Sequence, residues 1–286
     1  MRAITRRGFV GAAAAASLCG APAAIAAGDA PFRLGLTPVF LDNDAAVIAQ
    51  LRNTFHAAMD QPIELLQRRT YEEVTGLLLE GAIDAAWLCG YPFLQHRKAL
   101  SLIGVPVWNG RPLYRSYLIA APGDPATGLA DLEGGLHAFS DPDSNSGWLV
   151  TASNLARMGR TPDDFFARSI FTYGHRNVVR AVASGLTRSG SVDGYVWDVL
   201  SEVDPGLAGR TRVVSRSEWL GFPPFVARAD RVAAPAVARF AQALSSMETT
   251  PEGRAALRTL HLDGVAPGEV SLFDGIAARM RDVSRL

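Results

Sequence analysis

Cysteine is scarce in this chain: two residues, Cys19 and Cys89, among 286. So few thiols exclude a disulfide-framed fold. An excess of charge of one sign is also missing. Lys plus Arg equals Asp plus Glu at 28 each, and no basic run follows the first ten residues. That excludes a chain that holds nucleic acid by its electrostatic field. No C-x-x-C, H-x-x-x-H or H-E-x-x-H spacing occurs, so the usual zinc patterns are absent. No G-x-G-x-x-G, P-loop or G-x-S-x-G is found either. Neither a metal nor a cofactor is therefore expected. What the chain does have is apolar mass, 48% hydrophobic against 20% charged. This is enough to bury a core, over a length that suits one large domain or two of ordinary size.

The first 27 residues read as an export signal. Arg2, Arg6 and Arg7 precede an Ala-rich stretch that ends in Ala24-Ile25-Ala26, a small-x-small cleavage pattern. Thr5-Arg6-Arg7-Gly8-Phe9-Val10 resembles the twin-arginine (Tat) signal, the alternative being a general secretory signal that contains Arg-Arg. The apolar run is too short to span a membrane. Leu18 before Cys19 is too large for a lipoprotein anchor. Cleavage near Ala26 removes three arginines and no acids, leaving 25 basic and 28 acidic residues, a net charge of −3. The expected destination is the periplasm, and Cys89 is then a lone thiol in an oxidising compartment.

Strand and helix patterns alternate along the rest, which implies parallel βαβ units. Strands are expected at 32–36, 62–66, 83–88, 102–107, 114–121, 136–139, 169–172, 192–196, 212–215 and 225–227. Helices are expected at 42–58, 70–80, 144–158, 163–167, 177–184, 235–246 and 251–260. Thr70 with Glu73 forms a capping-box signature. A short unit of helix, Gly turn and apolar-Asp-apolar strand recurs around Asp84 and Asp193, as two similar lobes would produce. The final helices are expected to fold back onto the first lobe.

The strongest local signal is Asp141-Pro142-Asp143-Ser144-Asn145-Ser146-Gly147-Trp148-Leu149-Val150, where a strand end meets a helix start. Hydroxyl and amide groups beside unpaired backbone N–H groups make an anion site without a formal cation. The same residues also serve as ordinary N-caps. The segment resembles the D-P-x-S-x-S-G-x-L-V signature of the phosphonate-binding-protein (PhnD-like) family, the periplasmic receptors of phosphate, phosphite and phosphonate ABC importers. Thr70-Tyr71-Glu72-Glu73-Val74, Gly81 to Trp87, Tyr114-Arg115-Ser116-Tyr117 and Tyr173-Gly174-His175-Arg176-Asn177 resemble other family segments, in the same order.

The resemblance implies an α/β type II periplasmic binding protein, two α/β lobes joined by two hinge strands with a ligand cleft between them. It divides the chain into a signal at 1–27, lobe 1 at 28–119, lobe 2 at 120–220 and a return to lobe 1 at 221–286. It implies ligand contacts at Tyr71, Tyr114, Ser144, Asn145, Ser146 and His175, with Asn145 standing where the family has Thr. Acidic groups that would hold an aminoalkyl tail have no clear match. Asp198 is out of register by about two, so a ligand without an amine is expected. Tyr91, Trp197 and Trp219 are candidate cleft walls or core aromatics. Arg115 and Arg176 are candidate sources of positive potential or surface residues.

Cys89 follows a strand's carboxyl end, the side on which open α/β sheets bind ligands. It is either a buried inert thiol or a soft ligand, as in periplasmic arsenite sensors similar to this family. Three functions are weighed. The first is a binding protein that captures a small oxyanion (phosphate, phosphite or phosphonate) for an ABC permease. The second is a sensor that binds arsenite or a related oxyanion through Cys89 for a membrane sensor kinase. The third is a hydrolase with Cys89 as nucleophile and His175 as base. The first is preferred; no enzyme activity and no nucleic-acid partner are expected.

Overall fold

The computed structural model describes residues 30–37 and 45–285; the expected export signal lies outside them. The first six-stranded sheet is built from β1 (Phe32–Leu36), β2 (Ile63–Gln67), β3 (Ala85–Trp87) and β4 (Leu100–Val107), with helices α1 (Ala45–Met59), α2 (Tyr71–Leu79) and α3 (Gly90–Gln95) between them. The chain then crosses over through β5 (Leu113–Tyr114) into β6 (Ser116–Ala120) and β7 (Leu136–Phe139). A π-helical turn, Asn145–Leu149, leads into α4 (Val150–Arg157) and then α5 (Pro162–Phe165). The second, five-stranded sheet is completed by β8 (Arg168–Phe171), β9 (Ser189–Asp193) and β10 (Arg212–Arg216), with α6 (His175–Ala183), α7 (Gly194–Val203) and α8 (Pro205–Ala208) in the connections. The chain returns through β11 (Leu220–Gly221) to β12 (Phe225–Arg228), α9 (Pro235–Ser245), α10 (Pro251–Thr259), β13 (Gly264–Ala266) and α11 (Asp274–Val283).

The sheet orders are β13-β4-β12-β3-β1-β2 and β10-β6-β9-β7-β8. In each, one strand pairs in parallel with two neighbours: β1 with β2 and β3, β7 with β8 and β9. An antiparallel strand from the other side of a crossover then extends the set, β12 beside β3 and β6 beside β9. The two crossover strands pair with each other, Leu220 opposite Tyr114 and Gly221 opposite Leu113. Two α/β lobes are thus joined by a two-stranded ribbon, and Tyr114 lies on it.

Local chemistry explains most boundaries. Thr70 accepts from the Glu73 N–H while Glu73 reaches back to the Thr70 N–H, so the expected capping box sets the start of α2. Apolar strands buried on both faces, β3 among them, sit in the sheet interiors. Phe240 anchors the first core, with its ring 4.9 Å from Phe32 and 5.1 Å from Phe55. Phe139, Phe165 and Phe166 gather in the second lobe.

Several expectations need correction. The strand expected at 192–196 ends at Asp193, and α7 begins at Gly194 because the Asp193 carboxylate caps the Tyr195 and Val196 N–H groups. The aspartates are therefore not equivalent: Asp84 precedes β3, whereas Asp193 ends β9. The strand expected at 114–121 is broken at Arg115 into β5 and β6. The last helices return to the first lobe, and α11 reaches the second as well, touching α3 and α4. α10 and α9 pack on α1, but α11 lies along α4, with Asp282 bonded by Arg157 and Ser153. Its Arg279, almost fully buried, donates to Glu218, the Val150 carbonyl and Asn154. Among the described residues no helix is long and apolar enough to cross a membrane.

Candidate ligand-binding site

The carboxyl ends of β3, β7 and β9 meet the ribbon residue Tyr114 between the lobes. From the second lobe comes the turn after β7. Ser144 is its N-cap, accepting the Gly147 N–H at 3.0 Å, and its own N–H donates to the Asp141 carbonyl. The Gly147 carbonyl accepts from the Ser140 N–H at 3.2 Å, which folds the turn onto the strand end. A Cβ on Gly147 would stand 1.8 Å from Ser140 Oγ and 2.7 Å from Ser140 Cβ, so only glycine permits this close approach. Ser116 Oγ donates to the Ser146 carbonyl at 2.6 Å, which ties the turn to β6.

The first lobe contributes Tyr71, the opening residue of α2, and Cys89, the N-cap residue of α3. Tyr71 Oη is 3.2 Å from His175 Nε2, and the Tyr71 N–H donates to the Asp141 carboxylate at 3.2 Å. Cys89 Sγ accepts the Asn145 N–H at 3.3 Å. Asn145 Nδ2 donates to Tyr114 Oη at 2.8 Å. Tyr71, Cys89, Tyr114, Ser144, Asn145, Ser146 and His175 therefore form one continuous buried constellation, none of them more than 2% exposed.

Proton positions follow from the network. The Asp193 N–H donates to His175 Nδ1 at 3.0 Å, so that nitrogen carries no proton. Burial lowers the His175 pKa to about 3, keeping the ring neutral with its proton on Nε2. Nε2–H then donates to Tyr71 Oη, and the Tyr71 O–H is free to donate elsewhere. Tyr114 Oη likewise accepts from Asn145, and Ser146 also hydrogen-bonds it, which frees its own proton. Burial raises both phenols well above their ordinary range, so each stays a donor. The result is a wall of neutral O–H groups with no formal cation in the network.

Cys89 is pushed up to about 12, mainly by burial, and is a thiol at neutral pH. Burial also raises Asp193 to about 8, despite the two N–H groups it accepts. The nucleophile–base pair of a hydrolase is not assembled: both ring nitrogens of His175 are committed to Tyr71 and Asp193, and Cys89 accepts from Asn145. Among the described residues no cluster of His, Cys, Asp or Glu could hold a metal ion.

Other candidates fall outside the constellation. Tyr91 is half-buried and stacks on Trp148 across the lobes, ring centroids 6.2 Å apart. Trp197 bonds Thr211 and packs on Tyr117, and Trp219 packs on Trp108. Arg115 lies over Trp219 and Arg176 pairs with Asp204, and neither hydrogen-bonds a member of the constellation. Asp198 accepts from Tyr117 Oη. The sequence reading missed the part played by Asp141 and Asp193. Their signal was present: an Asp at each of two strand ends, immediately before a turn or helix start.

The family model described as ABC transporter, phosphonate, periplasmic substrate-binding protein matches residues 34–273. Among solved structures, a binding protein component of an ABC phosphonate transporter from Pseudomonas aeruginosa is similar, with TM-score 0.82 and 17% identity over 90% of this chain and 88% of that one. PhnD1 from Prochlorococcus marinus in complex with methylphosphonate gives TM-score 0.78 and 13% identity over 89% and 98%. A Xanthomonas citri protein bound to chloride ion gives 0.70 and 20% over 89% and 97%. At these identities the likeness of structure is a likeness of fold.

Proposed function

The chain belongs to the family of periplasmic substrate-binding proteins of phosphonate ABC transporters, and on that premise we propose that its cleft captures a small phosphorus oxyanion (phosphate, phosphite or phosphonate) and presents it to the membrane permease. The observation that carries this reading is the buried set of neutral donors shared between the lobes. Ser144, Asn145 and Ser146 come from one lobe, Tyr71 from the other, and Tyr114 from the ribbon joining them. A ligand that bridges both sides favours the closed state, because only that state makes both sets of contacts. The permease then reads closure. The protein binds without turnover and is exported by its twin-arginine-like segment, which is cleaved near Ala26.

An arsenite sensor would need Cys89 as a soft ligand. The family match favours the transport component instead, and a neutral buried thiol that already accepts a backbone N–H is a poor soft-metal ligand. The test is calorimetry and thermal shift with phosphate, phosphite, methylphosphonate, arsenate and arsenite. One phosphorus oxyanion should raise the melting temperature by mass action. The Ser144→Ala/Ser146→Ala double variant should lose roughly a hundredfold or more in affinity for it, at about tenfold per lost hydrogen bond. Unchanged affinity in that variant overturns the placement.

A further inference from the structure

We infer that Asn145 selects a ligand that is singly charged and still carries an acidic proton, the hydrogen-phosphonate type of monoanion, over fully deprotonated oxyanions. This rests on the oxyanion reading above and deepens it. Asn145 is fully buried. Its backbone N–H is spent on Cys89 Sγ and one of its two Nδ2 protons on Tyr114 Oη. Its Oδ1 is buried with no hydrogen-bond partner among the described residues. A buried amide oxygen without a donor is costly and rare in folded proteins. The Ser140 hydroxyl, at the base of the turn, is also buried without a partner among the described residues, but it is itself a donor; Oδ1 can only accept, and a ligand can bring the donor it lacks. A P–O–H group supplies it, and the remaining oxygens accept from Tyr71, Tyr114 and Ser144.

Charge points the same way. The groups facing the site are the hydroxyls of Tyr71 and Tyr114, the Cys89 thiol, neutral His175, and the carboxyls of Asp141 and Asp193, which lie within electrostatic reach of Tyr71. Of the nearby guanidiniums, Arg115 lies over Trp219 and Arg176 pairs with Asp204, each with a buried Nε that has no partner among the described residues. A dianion would be desolvated here without a counter-charge; a monoanion costs less.

The experiment compares methylphosphonate with methanesulfonate, which has the same shape and single charge but no acidic proton at these pH values. Calorimetry is run on the purified protein from pH 5.5 to 9. At pH 6 methylphosphonate should bind tighter by roughly tenfold or more, because the sulfonate leaves Oδ1 unpaired. The ratio should then shrink by roughly tenfold per pH unit above the second ionisation of methylphosphonate, as the competent fraction of ligand falls. Taking the ratio cancels any change in the protein's own charge, since Asp193 titrates in the same range and affects both ligands.

Asn145→Val, which cannot accept, should bring the two affinities together, and Asn145→Thr should leave an intermediate ratio. The wild-type pH series stands even if a variant fails to fold. Equal affinities at pH 6, or a ratio flat with pH, overturns the inference while leaving the oxyanion reading intact. Failure of phosphate, phosphite and methylphosphonate to bind at any pH overturns both.

Discussion

The two lobes furnish their sides of the cleft differently. The second lobe's wall is held by bonds within that lobe: Gly147 N–H to Ser144 Oγ, Ser144 N–H to Asp141 carbonyl, Ser116 Oγ to Ser146 carbonyl, and Asp193 N–H to His175 Nδ1. The side-chain atoms of the first lobe's wall find partners mainly across the gap, Tyr71 Oη with His175 and Cys89 Sγ with Asn145. On the proposed closure, one side is prebuilt and the other is completed as the lobes meet. Changes to the second lobe should therefore register in the stability of the unliganded protein. Changes to the first should register in affinity and in the rate of opening.

The sharpest test of the prebuilt side is pH, because the strongly shifted acid–base groups of the second lobe are buried within it. His137 and His175 are both lowered to about 3 by burial, and Asp193 is raised to about 8. His137 stays neutral between Ser189 Oγ at 2.7 Å and Ser191 Oγ at 2.9 Å. The unfolded histidines titrate near 6.5, so their contribution is full above that pH and is lost as pH falls toward 3. Asp193 behaves oppositely. Its unfolded pKa is about 3.9, so stability falls as pH rises from there to about 8. Of these three groups only Asp193 still titrates above pH 6.5, with a slope of up to about 1.4 kcal/mol per pH unit. Asp193→Asn keeps a good cap for α7 and has no charge to bury. Its melting temperature should exceed wild type by a margin that grows from pH 6.5 to 8. A constant margin would show that the carboxyl is ionised in the fold throughout that range.

Tyr71→Phe probes the side completed by closure. It removes one hydroxyl and leaves His175 Nε2–H without its acceptor in the closed state. Affinity for the bound oxyanion should fall about tenfold to a hundredfold, while the melting temperature of the unliganded protein changes little. An equal fall in both quantities would mean that Tyr71 belongs to the prebuilt framework, and the contrast between the lobes would fail.

The same contrast separates what could be read in the residues from what could not. The Thr70–Glu73 cap and the Ser144 turn were legible because their chemistry is local, a few residues reaching their own backbone. The βαβ alternation was legible because buried parallel strands need continuous apolar runs. α7 was misread because Val192 to Val196 is as apolar as a strand, and only the capping geometry of Asp193 turns it into a helix. β11 and β13, two and three residues long, exist only through their partners, and α11 finds α4 through contacts far apart in sequence. The sequence marks Tyr91 but not its mate, since nothing local connects it to Trp148. Cross-lobe pairs of this kind belong to the closed arrangement and leave no spacing rule in the chain.

That pair supplies the smallest effect. The Tyr91 and Trp148 rings are nearly parallel, 14° apart, with centroids at 6.2 Å, one from α3 and one from the turn before α4. An aromatic pair of this geometry contributes about 0.5–1.5 kcal/mol beyond its buried area. Because its members sit on opposite lobes, that energy is available only when the lobes are together. Tyr91→Ala should therefore weaken ligand binding by roughly twofold to tenfold. The loss should appear in a faster dissociation rate rather than in a slower association rate, because the stack forms only when the lobes are together. Stopped-flow fluorescence of Trp148 measures both rates, provided the chain's other tryptophans are held constant between wild type and variant. Unchanged dissociation with slower association would make the stack part of the docking surface, and the first lobe would then share the prebuilt character assigned here to the second.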